Sequence, residues 1–261
     1  MTDTVLFHID AQQVAWLTLN KPEVHNAFDD QIIAQLLAHL RDIEGNTSVR
    51  ALVLNSNGKN FSAGADLGWM RSMAAKNREQ NVADAGELGQ LMYELDNLRV
   101  PTIALVQGAA FGGAVGLAAC CDMVLANPGS SFCLSEVKIG LIPAVICPYV
   151  IRNMGARAAR RYVLTAERFF AADAMRHGLV TEVTDDPLTE AVKPLLQAIV
   201  NNGPAAVAAA KRLLLDIHQR PINEDVVRTT VERIADIRVS DEGQEGLSAF
   251  LEKRKAGWLT N

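Results

Sequence analysis

Thr102-Ile-Ala-Leu-Val106 runs directly into Gln107-Gly-Ala-Ala-Phe-Gly-Gly-Ala114 and then into a small-residue stretch that ends at Cys120. The apolar run after Pro101 reads as a strand buried on both faces. Glycine then lets the chain turn sharply, and residues 113–120 read as a helix. Strand, glycine-bearing turn and helix in succession form the repeating unit of an α/β fold. The same pattern occurs upstream. Arg50-Ala-Leu-Val-Leu-Asn55 is a second buried strand, closed at Asn57-Gly58, and Phe61-Ser-Ala-Gly-Ala-Asp66 is a second glycine-bearing turn.

Outward from these two units, Val14 to Leu19 reads as a strand. Gln31 to Ile43 reads as a helix, with apolar residues at 32, 33, 36, 37, 40 and 43. A further helix is expected over 82–98, stopped by Pro101, and short strands at Met123–Ala126 and Ser131–Leu134. After residue 145 the pattern becomes helical, over 157–164, 171–177, 188–201, 204–216 and 223–239. Gly203 is expected to close one helix and Pro204 to start the next. No low-complexity linker or sequence repeat interrupts the chain, so the change of character lies within one fold unit.

Composition narrows the function. At 261 residues with 49% hydrophobic and 21% charged residues, the chain can bury a sizeable core and is not expected to be disordered. A net charge of −5, with thinly spread basic residues, lacks the clustered face that nucleic acid requires. No run approaches the ~18 apolar residues of a membrane span. The opening MTDTVLFHID has no basic and apolar leader pattern, so a cytoplasmic protein is expected. Cys120, Cys121, Cys133 and Cys147 include no Cys-x-x-Cys pair and read as small buried hydrophobes. The five histidines (8, 25, 39, 177, 218) are scattered, and no metal site is expected.

Both glycine turns lead from a buried strand toward a helix start, where N–H groups lack internal partners. Two such turns facing each other would aim two donors at one oxygen, an oxyanion hole. Taken singly, each is better explained by tight strand–helix packing. No G-x-G-x-x-G or G-x-S-x-G is present, which argues against a dinucleotide site and a serine nucleophile. In Ser135-Glu136-Val-Lys-Ile-Gly-Leu-Ile-Pro143 a carboxylate stands between an apolar strand and an apolar loop. Such surroundings raise a carboxyl pKa and suit acid/base chemistry. An ion pair of Glu136 with Lys138 or a nearby arginine fits the spacing equally well.

The ordered set Asn20-Lys-Pro, Asn26-Ala27, Phe61–Asp66, Gln107–Gly113, Cys121-Asp122 and Glu136…Gly140…Pro143 resembles the enoyl-CoA hydratase/isomerase (crotonase) family. It continues through Arg160–Ala166 and Ala171–Gly178 to Gly246–Lys255, so it covers nearly the whole chain. The resemblance implies a spiral of repeated ββα units over 1–200 and a helical C-terminal region over 201–261, used in assembly and in contacting CoA. It implies that the backbone N–H groups of Ala65 and Gly113 hold a thioester oxygen and that Glu136 is the acid/base. Lys21 and His25 fall where relatives contact the CoA nucleotide. The segment from Ala63 to Asp66 matches the one that grips adenine and pantetheine. Gly112 and Gly116 belong with the substrate-binding positions, and Phe250 and Lys253 with the helix that reaches CoA, often from a neighbouring subunit. Coenzyme A is part of the substrate, so no separate cofactor is implied. A homotrimer or homohexamer is, with an acyl-CoA thioester as partner and neither nucleic acid nor membrane.

One position departs from the family pattern. Hydratases of the family use two glutamates; Glu136 matches one, and the other falls on Gly116. A single acid suits a Δ3,Δ2-enoyl-CoA isomerase, a decarboxylase, or a hydratase whose water is oriented otherwise. Residues 64–70, 106–114 and 134–146 are similar to bacterial methylglutaconyl-CoA and isohexenylglutaconyl-CoA hydratases of leucine and acyclic terpene degradation. The leading expectation is therefore reversible hydration of a branched 2-enoyl-CoA, 3-methylglutaconyl-CoA first. Arg71, Lys76 and Arg78 are candidates for its second carboxylate, or simply a solvated helix face. A non-catalytic acyl-CoA- or RNA-binding member of the fold is the reading from another class.

Overall fold

The structure is a computed structural model and describes residues 3–259. In chain order the first half comprises β1 (Val5–Ile9), β2 (Val14–Leu19), α1 (Asp30–Gly45), β3 (Ala51–Ser56), α2 (Leu67–Ala75) and α3 (Arg78–Asn97). It continues with β4 (Thr102–Val106), β5 (Ala109–Phe111), α4 (Gly113–Cys120), β6 (Met123–Ala126) and β7 (Ser131–Cys133). A 3-10 turn over Glu136–Ile139 leads to α5 (Cys147–Thr165), β8 (Phe169–Phe170), α6 (Ala171–Arg176) and β9 (Glu182–Val183). Helices α7 (Leu188–Ala191), α8 (Lys193–Val200), α9 (Pro204–Ile217), α10 (Glu224–Val239) and α11 (Asp241–Glu252) complete it.

Six strands form one sheet in the order β1-β2-β3-β4-β6-β9, parallel except for β1 against β2. A second sheet, β5-β7-β8, lies beside it. Successive windings of the chain place one strand in each: β4 then β5, β6 then β7. Two isolated parallel bridges, Phe28 to Ala65 and Ser62 to Ala110, extend the second ladder backwards through both glycine turns. The result is the spiral of ββα units with a helical end.

Both faces of the main sheet are buried, which explains its unbroken apolar strands. Leu17, Leu52, Leu54 and Ala104 face α1, α3, α4 and α5, while Val14, Val53, Ile103 and Leu105 face Leu188, Val192 and Leu196 of α7 and α8. Helix α1 buries Ile32, Ile33, Leu36, Leu37, Leu40 and Ile43, the six expected positions, and is capped by Asp29 accepting from the Ile32 N–H. Each such side chain contributes about 1.5–3 kcal/mol on burial.

Several boundaries differ from the sequence expectations. Helix α3 starts at Arg78, four residues early, because Asn77 and Gln80 form a capping box. The helix expected at 157–164 is the second half of α5, which begins at Cys147 and breaks at Gly155, where φ is 74°. The segment 188–201 is two short helices, since Pro194 starts α8 afresh. Gly203 is the N-cap of α9 and does not close α8, which ends at Val200. Strands β1, β5, β8 and β9 were not expected at these positions: β5, β8 and β9 are too short to show periodicity, and β1 alternates weakly at an edge.

Candidate active site

The two glycine turns are zipped together. Phe61 N–H donates to the Gln107 carbonyl (2.7 Å), Ser62 N–H to Ala109 (3.0 Å), and Phe111 N–H to Ser62 (3.1 Å). Gly64 has φ +94°, and a Cβ there would lie 2.8 Å from the Phe111 carbonyl oxygen, so only glycine lets the first turn close onto the second. On its other side, Phe28 N–H donates to Gly64 (2.9 Å) and the Phe28 carbonyl accepts from Asp66 (2.9 Å). A parallel ladder alternates direction, so the Ala65 N–H between those two bonds points away from Phe28. It meets no acceptor among the described residues. In the second turn Gly112 N–H donates to the Cys133 carbonyl (2.9 Å), and Gly113 opens α4 with its own N–H unpartnered. The Phe28 ring packs onto Gly113.

Glu136 stands over this pair. A Cβ on Gly112 would be 3.0 Å from its Oε1. Its Oε2 is buried without a hydrogen-bond partner, and among the described residues Glu136 is in no ion pair. The structural pairing with Lys138 or an arginine is thereby ruled out. Burial raises the carboxyl above its usual range, with the hydrogen bond to its own backbone N–H working the other way. The arrangement can place negative charge on an oxygen held by two donors while a carboxyl of raised pKa exchanges a proton with the neighbouring carbon. The thiols offer no nucleophile there. Burial pushes Cys121 up to about 12 and also raises Cys120, Cys133 and Cys147.

Around the first turn, buried Asn26 acts as a rivet. Its Oδ1 accepts from the Lys21 N–H (2.8 Å), and its Nδ2 donates to the carbonyls of Asn57 and Asn60 (both 2.8 Å). Asn60 Oδ1 accepts from Ala109 N–H, so its Nδ2 donates to His25 Nδ1 (3.0 Å) and leaves the exposed imidazole protonated at Nε2. Lys21 Nζ is 3.3 Å from Asp29. Ala63 N–H is taken by the His25 carbonyl, but its own exposed carbonyl accepts nothing among the described residues. The Asp66 carboxylate caps α2, accepting from Gly68 and Trp69.

Lys21, His25, Ala63, Ala65, Asp66, Gly112, Gly113 and Glu136 thus converge on one region. Phe250 and Lys253 do not join them within the chain: α11 packs on α9 and α10, and Phe250 is 81% exposed. Lys76 is engaged by Asp84 at 2.5 Å, which also accepts from the Trp69 indole, whereas exposed Arg71 and Arg78 have no ion-pair partner among the described residues. Sequence reading missed Phe28, Trp69 and Ile146. Phe28 sits beside the Asn26-Ala27 motif, but only the ladder shows its ring against Gly113. Among the described residues no cluster of His, Cys, Asp or Glu could hold a metal ion, and no helix is long and apolar enough to cross a membrane.

An α/β spiral that sets two free backbone donors beside one half-buried carboxyl has the make-up of an enzyme handling an acyl compound through its enolate. The family model for enoyl-CoA hydratase/isomerase matches residues 10–261, and the chain belongs to that family. A crystal structure of an enoyl-CoA hydratase from Shewanella pealeana is 50% identical, covers 98% of this chain and 96% of that one, and superposes with a TM-score of 0.95. The 2,3-dehydroadipyl-CoA hydratase of Escherichia coli is 32% identical across 93% of this chain and 94% of that protein. The crotonyl-CoA hydratase of Syntrophomonas wolfei is 29% identical across 95% of each.

Proposed function

We propose that the protein is an enoyl-CoA hydratase that reversibly adds water to a branched 2-enoyl-CoA bearing a second carboxylate, with 3-methylglutaconyl-CoA the first candidate. The observation that carries it is the Glu136 carboxyl, whose buried Oε2 has no hydrogen-bond partner, beside the free N–H groups of Ala65 and Gly113. The thioester oxygen lies between those donors. Water attacks C3, charge moves onto the thioester oxygen, and Glu136 delivers a proton to C2. In the reverse direction Glu136 removes that proton and hydroxide leaves. Hydratases among the relatives support water addition, and the E. coli relative acts, by its name, on a thioester with a distal carboxylate. On the CoA side, the Ala63 carbonyl and His25 Nε2–H offer an acceptor and a donor to the nucleotide. Phe250 and Lys253 serve the site from a neighbouring subunit of a trimer or hexamer.

The lack of an acid at Gly116 favours a second reading, Δ3,Δ2 isomerisation or decarboxylation through the same enolate. Incubation with a panel of enoyl-CoA esters, followed by mass spectrometry, separates the outcomes: 18 mass units gained by ~1:1 water addition, no mass change, or carbon dioxide lost. Glu136→Gln should reduce turnover by about 10²–10⁴-fold while CoA-ester binding survives. An unaffected rate removes Glu136 from the mechanism.

A further inference from the structure

Gly112 is the N-cap of α4 and Gly116 lies one turn inside the helix, about 6 Å further along its axis. Glu136 covers the first. Ile146 covers the second: a Cβ on Gly116 would lie 2.2 Å from Ile146 Cγ2, 2.8 Å from its Cβ and 3.2 Å from Met92 Cε. Ile146 is 2% exposed and Met92 fully buried, so neither can swing aside into solvent. Ile146 is also fixed through its backbone. It immediately precedes α5 and accepts from Val150 N–H at 3.1 Å, while Cys147 N–H donates to Pro143 at 3.0 Å. One loop therefore carries Glu136 at its start and Ile146 at its end. Any side chain at 116 would force Ile146 to move.

This arrangement has a consequence for water. An ordered water requires two to four polar partners. Beside Gly116 it meets hydrocarbon from Ile146 and Met92, leaving Glu136 as the protein's carboxyl at that wall. During hydration Glu136 gives its proton to C2 and cannot at the same time accept one from water. We propose that Ile146 is a specificity-determining residue, whose side chain fills the place of a second acid and confines hydration to acyl groups that bring their own carboxylate to hold and deprotonate the water. The inference rests on the hydratase reading. The water oxygen bonds to C3 as the C2–C3 π pair moves toward the thioester oxygen. One water proton passes to the substrate carboxylate, one methylene removed from C3 in a glutaconyl chain, and the Glu136 proton passes to C2. The substrate carboxyl then returns its proton through solvent to Glu136, so that one water is added and nothing else is consumed.

The test compares kcat/KM for crotonyl-CoA, which lacks a distal carboxylate, with glutaconyl-CoA and 3-methylglutaconyl-CoA. The wild-type protein should prefer the carboxylate-bearing esters by about 10²-fold or more, the scale of a general base. Ile146→Ala opens space beside Gly116, and sodium formate should then accelerate crotonyl-CoA hydration by that variant but not by the wild type. Gly116→Glu/Ile146→Gly, checked for folding by circular dichroism, should narrow the ester preference by about tenfold or more. Hydration of crotonyl-CoA by the wild type at the rate of the glutaconyl esters overturns the role of Ile146 and leaves the hydratase reading standing. If no ester gains water and the double bond moves or carbon dioxide leaves instead, both fall, and the products show it. The wild-type comparison decides without any variant having to fold.

Discussion

Replacing Lys211 by methionine tests how the helical end is joined to the sheet. Lys211 lies on α9 and is 7% exposed, with Nζ 2.7 Å from Asp122 and 3.0 Å from the Val100 carbonyl. At that separation, with an effective dielectric near 20, the attraction is about 6 kcal/mol, most of it cancelled by stripping water from the ammonium. Removing one member of a buried pair costs about 3–5 kcal/mol, because the other is left charged. Asp122 keeps the Thr102 N–H (2.8 Å) and hydroxyl (3.0 Å), and its side chain is 30% exposed. Those contacts relieve part of the stranded charge and bring the expected loss to about 2–3 kcal/mol. Urea denaturation of wild type, Lys211→Met and Asp122→Asn should show the loss as a lower midpoint at unchanged slope. The control is Lys193→Met, whose 2.5 Å pair with Glu190 is solvent-exposed and should change stability by about 0.5 kcal/mol or less. If Lys211→Met loses no more than that control, burial of the pair is not what fastens α9.

Glu136 should make stability depend on pH. Its carboxyl is raised in the folded protein by burial, so the native state holds the proton longer than the unfolded chain. Stability therefore falls as pH rises from the ordinary glutamate value of about 4.3 through the folded one, and the penalty persists above it. Calorimetry should find Glu136→Gln more heat-stable than wild type at pH 8, with the advantage gone near pH 4; a constant difference would refute it. Gly64→Ala forces a side chain into φ +94° and against the Phe111 carbonyl, which should cost about 1–3 kcal/mol and lower kcat more than it alters KM. Unchanged kinetics would mean that the spacing of the two turns does not matter. Leu247, Phe250 and Leu251 are 50–81% exposed on α11. Replacing all three by serine should reduce a trimer or hexamer to a single chain in sedimentation, and a wild-type monomer would end the assembly proposal.

How much of this was legible in the sequence depends on the range of the interaction involved. The six apolar positions of α1 and the unbroken strands 50–55 and 102–106 announce themselves because burial on one face or two leaves a local period. The bounds of α2 stayed hidden, although a helix was expected after the first turn: its Leu67, Gly68 and Met70 follow no clear stripe, and its start depends on the Asp66 cap. The positions of Ala65, Gly113 and Glu136 followed from the motif order, and the missing acid was visible as Gly116. What fills its place was not. Ile146 lies thirty residues away in an apolar run, and nothing short of the packed volume links the two. The opposite failure is Lys76, which looked free to meet a ligand and is held by Asp84.

The ladder between the glycine turns also bears on how such a protein can change over evolutionary time. Backbone groups along a strand face alternately to one side and the other. Adding or deleting a single residue within 61–65 or 109–113 would therefore reverse the direction of one free N–H and leave the pair pointing apart. The segment between the turns carries no such parity constraint: the junction of α2 and α3 can lengthen or shorten as long as Trp69, Leu91, Met92 and Leu95 keep their buried places. Insertions can accumulate between α2 and α3, while the lengths of the two turns stay locked.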